Sequence, residues 1–412
     1  MWRAAIVAAG LLWASPATAQ TQERPPNPGN DPQGLISEPL PIERAALFAG
    51  RNLTGSGGGE GIYVDFMNMI PGAGWLAAGP GYRRWYSGDR ILFDTSAAIS
   101  MRGYRTVQSR VELPRLSNGK LTAGSQFRWQ DATQINAFGQ GPDTLESAHA
   151  QYRMRSSNLV GYATLRPWRS VAISGQGGWL KPSIHDPSGP FRSNHPGLRE
   201  VFPGDPVFAL PEQPGFLYGE TSITADTRDA AGHATRGGLL RGAASTYSDR
   251  DSGVFSFRRY EAEAEGFVPL ADSRVVVALH GWLAASDTAG GQLVPFYLQP
   301  SLGGANTLRG YTDYRFHDRN MLVLNLETRV ALMTHMDAAV FLDAGNVAPR
   351  VGDLNLDKRS YGAGLRFHSR RNTFARVDVA RGGEGWRLVF RLNDPLSLSR
   401  LLRRTAPVPF VP

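Results

Sequence analysis

Apolar and polar residues alternate along most of this chain. In 148–155 (AHAQYRMR), Ala148, Ala150, Tyr152 and Met154 share one parity; His149, Gln151, Arg153 and Arg155 share the other. In 259–266, Arg259, Glu261, Glu263 and Glu265 oppose Tyr260, Ala262 and Ala264. In 121–130, Leu121, Ala123, Phe127 and Trp129 oppose Thr122, Gln126, Arg128 and Gln130. Further on, Leu322, Leu324, Leu326 and Val330 oppose Asn325, Glu327 and Arg329, and Trp386, Leu388, Phe390 and Leu392 oppose Arg387, Arg391 and Asn393. A period of two belongs to β-strands, whose successive side chains point to opposite faces.

Such runs mark sixteen predicted strands between residues 74 and 393, opening with 74–86 and closing with 385–393. The middle of the list includes 120–131, 148–156 and 158–167; strands twelve and thirteen are 320–333 and 336–347. With both ends in the periplasm, connections after odd-numbered strands face outside. The two longest, 183–214 and 287–319, follow strands seven and eleven. External loops of membrane barrels are the long ones. The 132–147 connection is the exception, too long for the periplasmic turn this count makes it.

Alternation also fits a soluble sandwich. Three features favour a membrane barrel. The strands run longer than the ~5–6 residues usual in soluble sheets, close to the ~9–11 that a tilted membrane strand needs. Aromatic residues (Trp85, Tyr86, Trp129, Trp168, Trp386) fall near strand ends, as at membrane interfaces. Lastly, the chain looks exported. Arg3 precedes the unbroken apolar run 4–13, and Ala17-Thr18-Ala19 follows as a small-x-small cleavage site. The expectation is an all-β transmembrane antiparallel barrel at residues 74–393, behind a signal peptide at 1–19, with location in the bacterial outer membrane.

Composition refines this picture. The segment 20–73 begins TQERPPNPGNDPQG and includes GSGGGEG, which suits a disordered periplasmic tail and linker. The C-terminal stretch 394–412 reads as a tail; its Leu-rich part with Arg400, Arg403 and Arg404 suits a short helix on the membrane surface or a solvated segment. The chain has no cysteine, so disulfides supply none of its stability. The net charge of +8 is spread singly along the strands, without the basic block that nucleic-acid binding requires. The eight histidines sit in none of the local patterns of hydrolases or zinc sites, so no enzyme activity, cofactor or metal is expected.

The connection 287–319 holds the most specific pattern. It contains LGGANTLRGY, with Gly303, Gly304, Leu308, Arg309, Gly310 and Tyr311; strand thirteen carries FLDAGNV, with Phe341, Asp343 and Gly345. In order and placement these resemble the signature of the BamA/TamA-like family of outer-membrane assembly barrels, also called bacterial surface antigens. The motifs cover about a tenth of the chain, and between 61 and 300 the resemblance is architectural only. The resemblance implies that the sixth external loop folds back into the lumen and that Arg309 meets Glu327 and Asp343. Both acids lie on the lumen-facing parity. A guanidinium between two carboxylates makes charge-assisted, bidentate hydrogen bonds.

The resemblance further implies a role in assembly, insertion or translocation of client outer-membrane or secreted proteins, in contact with outer-membrane lipid. The alternative is a passive pore or structural surface protein that keeps the fold without insertase activity. Family members that handle clients carry periplasmic POTRA domains, and roughly 55 residues between the cleavage site and the first predicted strand leave no room for a series of them. In the first predicted strand, Gly79-Pro80-Gly81 offers a poor ladder partner, because Pro80 has no N–H. That suits either a weak seam between the first and last strands or a bulge in a closed barrel.

Overall fold

The computed structural model describes residues 34–44, 60–66, 77–191, 194–205, 208, 213–271, 273–369 and 372–391. The predicted signal peptide (1–19) and predicted C-terminal tail (394–412) lie outside the described residues.

Sixteen strands form one antiparallel sheet in chain order, wound as a BamA-like barrel. They are β1 (Gly61–Phe66), β2 (Ala77–Tyr86), β3 (Ile91–Ser100), β4 (Arg105–Leu116), β5 (Leu121–Ala137), β6 (Ala150–Trp168), β7 (Val171–His185) and β8 (Phe216–Asp226). Then come β9 (Gly237–Asp249), β10 (Phe257–Leu270), β11 (Val275–Asp287), β14 (Asn320–Met333), β15 (Met336–Ala348), β16 (Lys358–His368), β17 (Thr373–Gly382) and β18 (Gly385–Arg391). Two short strands, β12 (Ser301–Leu302) and β13 (Phe316–His317), pair with each other inside the loop between β11 and β14. Among the described residues no ladder joins β1 to β18, the two ends of the sheet order.

The alternation sorts as lipid face against lumen. Phe127, Leu159, Trp179 and Leu217 occupy one row across β5, β6, β7 and β8, and all four are exposed on the outside. Inward neighbours such as Gln126, Arg128, Asn158 and Val160 are buried. Trp168, Tyr86 and Trp386 stand exposed at strand ends. Apolar residues exposed in such a continuous belt require a lipid solvent.

The predicted strand count is right through two compensating differences. Residues 148–156 and 158–167 merge into one strand, β6, because polar Ser156 and Asn158 keep inward parity and the ladder to β5 runs unbroken from Met154 to Leu165. Residues 61–66, placed in a disordered linker, form β1. Their neighbours are glycine-rich, but GIYVDF itself alternates, with Ile62 and Val64 exposed outside. Together these restore the topology. The connection 138–149 now follows the fifth strand, at the same end as the long connections 186–215 and 288–319. The opposite end carries tight turns such as 87–90, 117–120 and 169–170.

The predicted linker is corrected further by residues 34–38, which dock on the short-turn end. Leu35 N and Ile36 N donate to Ala331 O and Leu332 O at 3.3 and 2.8 Å, and Glu38 pairs with His335 at 2.8 Å.

The seam candidates also move. Gly79, Pro80 and Gly81 lie on β2, one strand in from the sheet's end, because β1 precedes them. Pro80 faces Val64 of β1. On the other side, the β2–β3 ladder runs Ala78↔Ile99 and then Gly81↔Ser96, skipping Gly79 and Pro80. A proline without a donor interrupts the ladder there.

Candidate functional site

The loop 288–319 turns inward and packs its apolar residues first. Leu302, Leu308, Tyr311 and Phe316 are buried against Trp282, Met321, Val323 and Val347 of the wall. Gly303 and Gly304 take φ of +113° and +91°, and a Cβ on either would meet Thr312 O at 2.2 Å or Asp313 Oδ1 at 2.0 Å. Only glycine turns the chain there. Gly310 has a different constraint: a Cβ would lie 2.5 Å from Gly382 N and 2.7 Å from Arg381 C, on β17. Gly345 likewise makes room for Leu302, 3.1 Å from where its Cβ would be.

This packing delivers Arg309 to the lumen wall. Its Nη1 donates to Glu327 Oε2 at 2.5 Å, and its Nε and Nη2 grip Asp343 at 3.0 and 2.6 Å. The Arg309 backbone N–H also donates to Asp343 Oδ2 at 3.0 Å. The guanidinium carbon stands 3.4 Å from the centre of the Phe341 ring, so the strand motif supplies both a carboxylate and a cation–π platform.

Three further residues, which sequence reading did not single out, extend the site. Arg366 on β16 donates to Glu327 at 2.8 Å and to Asp378 on β17 at 2.5 Å. Arg376 donates to Asp378 at 3.2 Å and returns to the loop at Ala305 O, 2.6 Å away. Three guanidiniums thus face three carboxylates, each residue at most 1% exposed. Buried charge is tolerated when it is neutralised and hydrogen-bonded, as here. The signal for the extra members was present in the alternation: Arg366, Arg376 and Asp378 all have inward parity.

Other contacts spread the loop across the lumen. Gly141 N donates to His317 O at 2.7 Å, and Arg315 Nη1 donates to Thr144 Oγ1 at 2.7 Å. On the far side Arg391 of β18 pairs with Asp313 at 2.9 Å, and Gly383 N donates to the Tyr311 hydroxyl at 3.1 Å. The loop is therefore fastened to the last strand of the sheet.

At the short-turn end, the connection 227–236 packs Ala234 against Phe267, Val276 and Ala278. His233 stacks on His368 at 3.7 Å, and both rings face Asp337 at 3.4 and 3.1 Å. Parallel rings this close aim their lone pairs side by side rather than at one point, which suits shared hydrogen bonds to a carboxylate better than a metal.

Comparison with known proteins agrees with this geometry. Residues 218–379 match the Omp85 superfamily domain. No curated protein sequence gives a significant match. BamA from Haemophilus ducreyi lacking POTRA domains 1-3 is similar in structure, with 14% identity, a TM-score of 0.59, and coverage of 81% of this chain and 70% of that one. CdiB from Escherichia coli aligns at 15% identity and a TM-score of 0.49, covering 81% of this chain and 60% of CdiB. CdiB from Acinetobacter baumannii gives 13%, 0.48, 76% and 56%. The domain match spans the inward loop and the strands that receive it: residues 218–379 form an Omp85 superfamily domain within a bacterial outer-membrane β-barrel of BamA-like fold.

Proposed function

We propose that this barrel inserts or translocates client outer-membrane proteins through a lateral opening between β1 and β18, with the Arg309 loop bracing the lumen while the wall parts. The family is one of insertases and translocators, which sets the class. The observation that carries the finer reading is the asymmetry of the two sheet ends. Among the described residues, β1 and β18 are the two ends of the sheet order and no ladder joins them. β18 is tied to the loop through Arg391 and Asp313. On the other side, the ladder from β2 to β3 skips Gly79 and Pro80, so this end of the sheet is held by fewer backbone hydrogen bonds. A short edge with unpaired N–H and C=O groups is a template for an incoming strand.

A permanently open pore is less well supported. Tyr152, Phe208, Phe296, Tyr297 and Leu298 are buried in one apolar cluster at the long-loop end. Deleting the gene and comparing outer-membrane proteomes tests the proposal. Loss of other barrels supports it; an unchanged proteome with altered small-solute permeability favours the pore.

A further inference from the structure

One cross-strand row runs along the inner wall from β10 to β16: Glu265, His280, Asn325, Asp343 and Ser360 are successive ladder partners. Its middle is fixed without ambiguity. Asn325 Nδ2 donates to Thr307 O at 2.7 Å and to Asp343 Oδ1 at 2.9 Å, and both partners are acceptors. Its amide oxygen must therefore face His280, whose Nδ1 is 2.8 Å away and has to carry a proton. That orientation turns Nε2 toward Glu263, 2.9 Å from Oε1. An imidazole donating Nδ1–H to an amide oxygen while presenting Nε2 to carboxylates is the arrangement of a metal-bound histidine.

We propose that His280, Glu263 and Glu265 bind a divalent first-row transition ion, Zn2+ or Mn2+, inside the lumen. Their ligand atoms lie within 4.8 Å of one another. Metal–ligand bonds of roughly 2.0–2.2 Å place neighbouring ligands roughly 3 Å apart, matching the 2.9 Å between Nε2 and Oε1. The second Glu263 oxygen, Oε2, is buried with no hydrogen-bond partner, and the side chain is 1% exposed. A carboxylate oxygen buried in that state calls for a cation. The local charge agrees. Arg228 pairs with Asp226 and Glu265, and Arg241, although the ladder partner of Glu263, directs its two nitrogens to Glu220 and Glu261. One imidazole with carboxylates suits Zn2+ or Mn2+ better than Ca2+ or Mg2+.

The ion would act on the loop through Asn325, which touches His280, Thr307 of the loop and the Asp343 that holds Arg309. Occupancy therefore stiffens the loop's attachment. The competing arrangement is a proton in place of the ion, His280 as an imidazolium donating to Glu263.

The test uses the full barrel, folded in detergent, stripped with EDTA and titrated with Zn2+, Mn2+ or Co2+. Wild type is expected to retain one equivalent after gel filtration, to show visible Co2+ bands of nitrogen and oxygen ligation, and to resist cleavage in 288–319 better with Zn2+ than with EDTA. Glu263→Gln and His280→Gln should each weaken binding at least tenfold, on the scale of losing a metal contact, while keeping the wild-type gel shift on boiling. Retention of no ion, absence of Co2+ bands in wild type, or wild-type binding by both variants overturns the site; the wild-type readouts decide it even if a variant fails to fold.

Discussion

Arg309 and Phe341 lie face to face, the guanidinium carbon 3.4 Å from the ring centre, so the aromatic residue of the strand motif forms the floor of the Arg309 site. A buried cation–π contact is worth about 2 kcal/mol. Phe341→Leu keeps the apolar volume but removes the ring, and should lower barrel stability by roughly that amount. Urea unfolding monitored by the gel shift checks it. Stability equal to wild type would assign Phe341 to packing alone.

Removing the cation is costlier. Arg309→Ala leaves Glu327 and Asp343 short of a partner in a site without solvent. Breaking a buried pair costs about 3–5 kcal/mol. The expected outcome is rapid cleavage of 288–319 by added protease on intact cells, with the barrel still present. Arg309→Lys should recover part of the protection, because an ammonium ion supplies charge without the fork.

Gly310→Ala tests the approach of the loop to β17 without touching any charge. The added Cβ would meet Gly382 N at 2.5 Å and Ser360 Cβ at 2.7 Å, so the loop must retreat. Overpacking of this kind costs about 1–3 kcal/mol. Cleavage of the loop should rise, less than for Arg309→Ala. Unchanged protection would show that the loop shifts at no cost.

Acid should loosen the long-loop end. Burial pushes the imidazoles of His149 and His317 down to about 4, with His195 and Arg315 adding to the effect at His149. Both are neutral in the folded protein at neutral pH. Because their folded values lie below the unfolded value of about 6.5, unfolding takes up protons between pH 6.5 and 4. Stability is full above pH 6.5 and falls as pH drops toward 4. Limited proteolysis at pH 7 and pH 4.5 should show faster cleavage in 138–149 and 288–319 at the lower value. His317→Gln should flatten the difference.

The strand period, the lipid face and the inward parity of Glu327 and Asp343 were legible because each is a local pattern with a fixed physical consequence. Glu327 and Asp343 had to face inward if their strands formed at all. Boundaries were harder. GIYVDF was hidden by the glycine and proline around it, since six alternating residues gain a strand only from the partner at Ala78–Arg83. Ser156 to Asn158 looked like a turn because polar residues mark turns as well as lumen faces. The shift of Gly79-Pro80-Gly81 from seam to second strand follows from that missed β1. Glu263, Glu265 and His280 carried no legible spacing, because their approach depends on the β10–β11 ladder, which no short motif encodes.

The central claim is that β1 and β18 separate during client insertion. The chain has no cysteine, so introduced pairs are the only thiols. Cysteines placed singly at Ile62 or Val64 on β1, each combined with Leu388 or Phe390 on β18, give a panel that can be oxidised shut and reopened with dithiothreitol. The measurement is the folding rate of an unfolded outer-membrane barrel into proteoliposomes that contain this protein. The account predicts acceleration over empty liposomes, its loss when the panel's best crosslinking pair is oxidised, and its return on reduction. Acceleration that persists with the strands crosslinked, or none in the wild type, would contradict it.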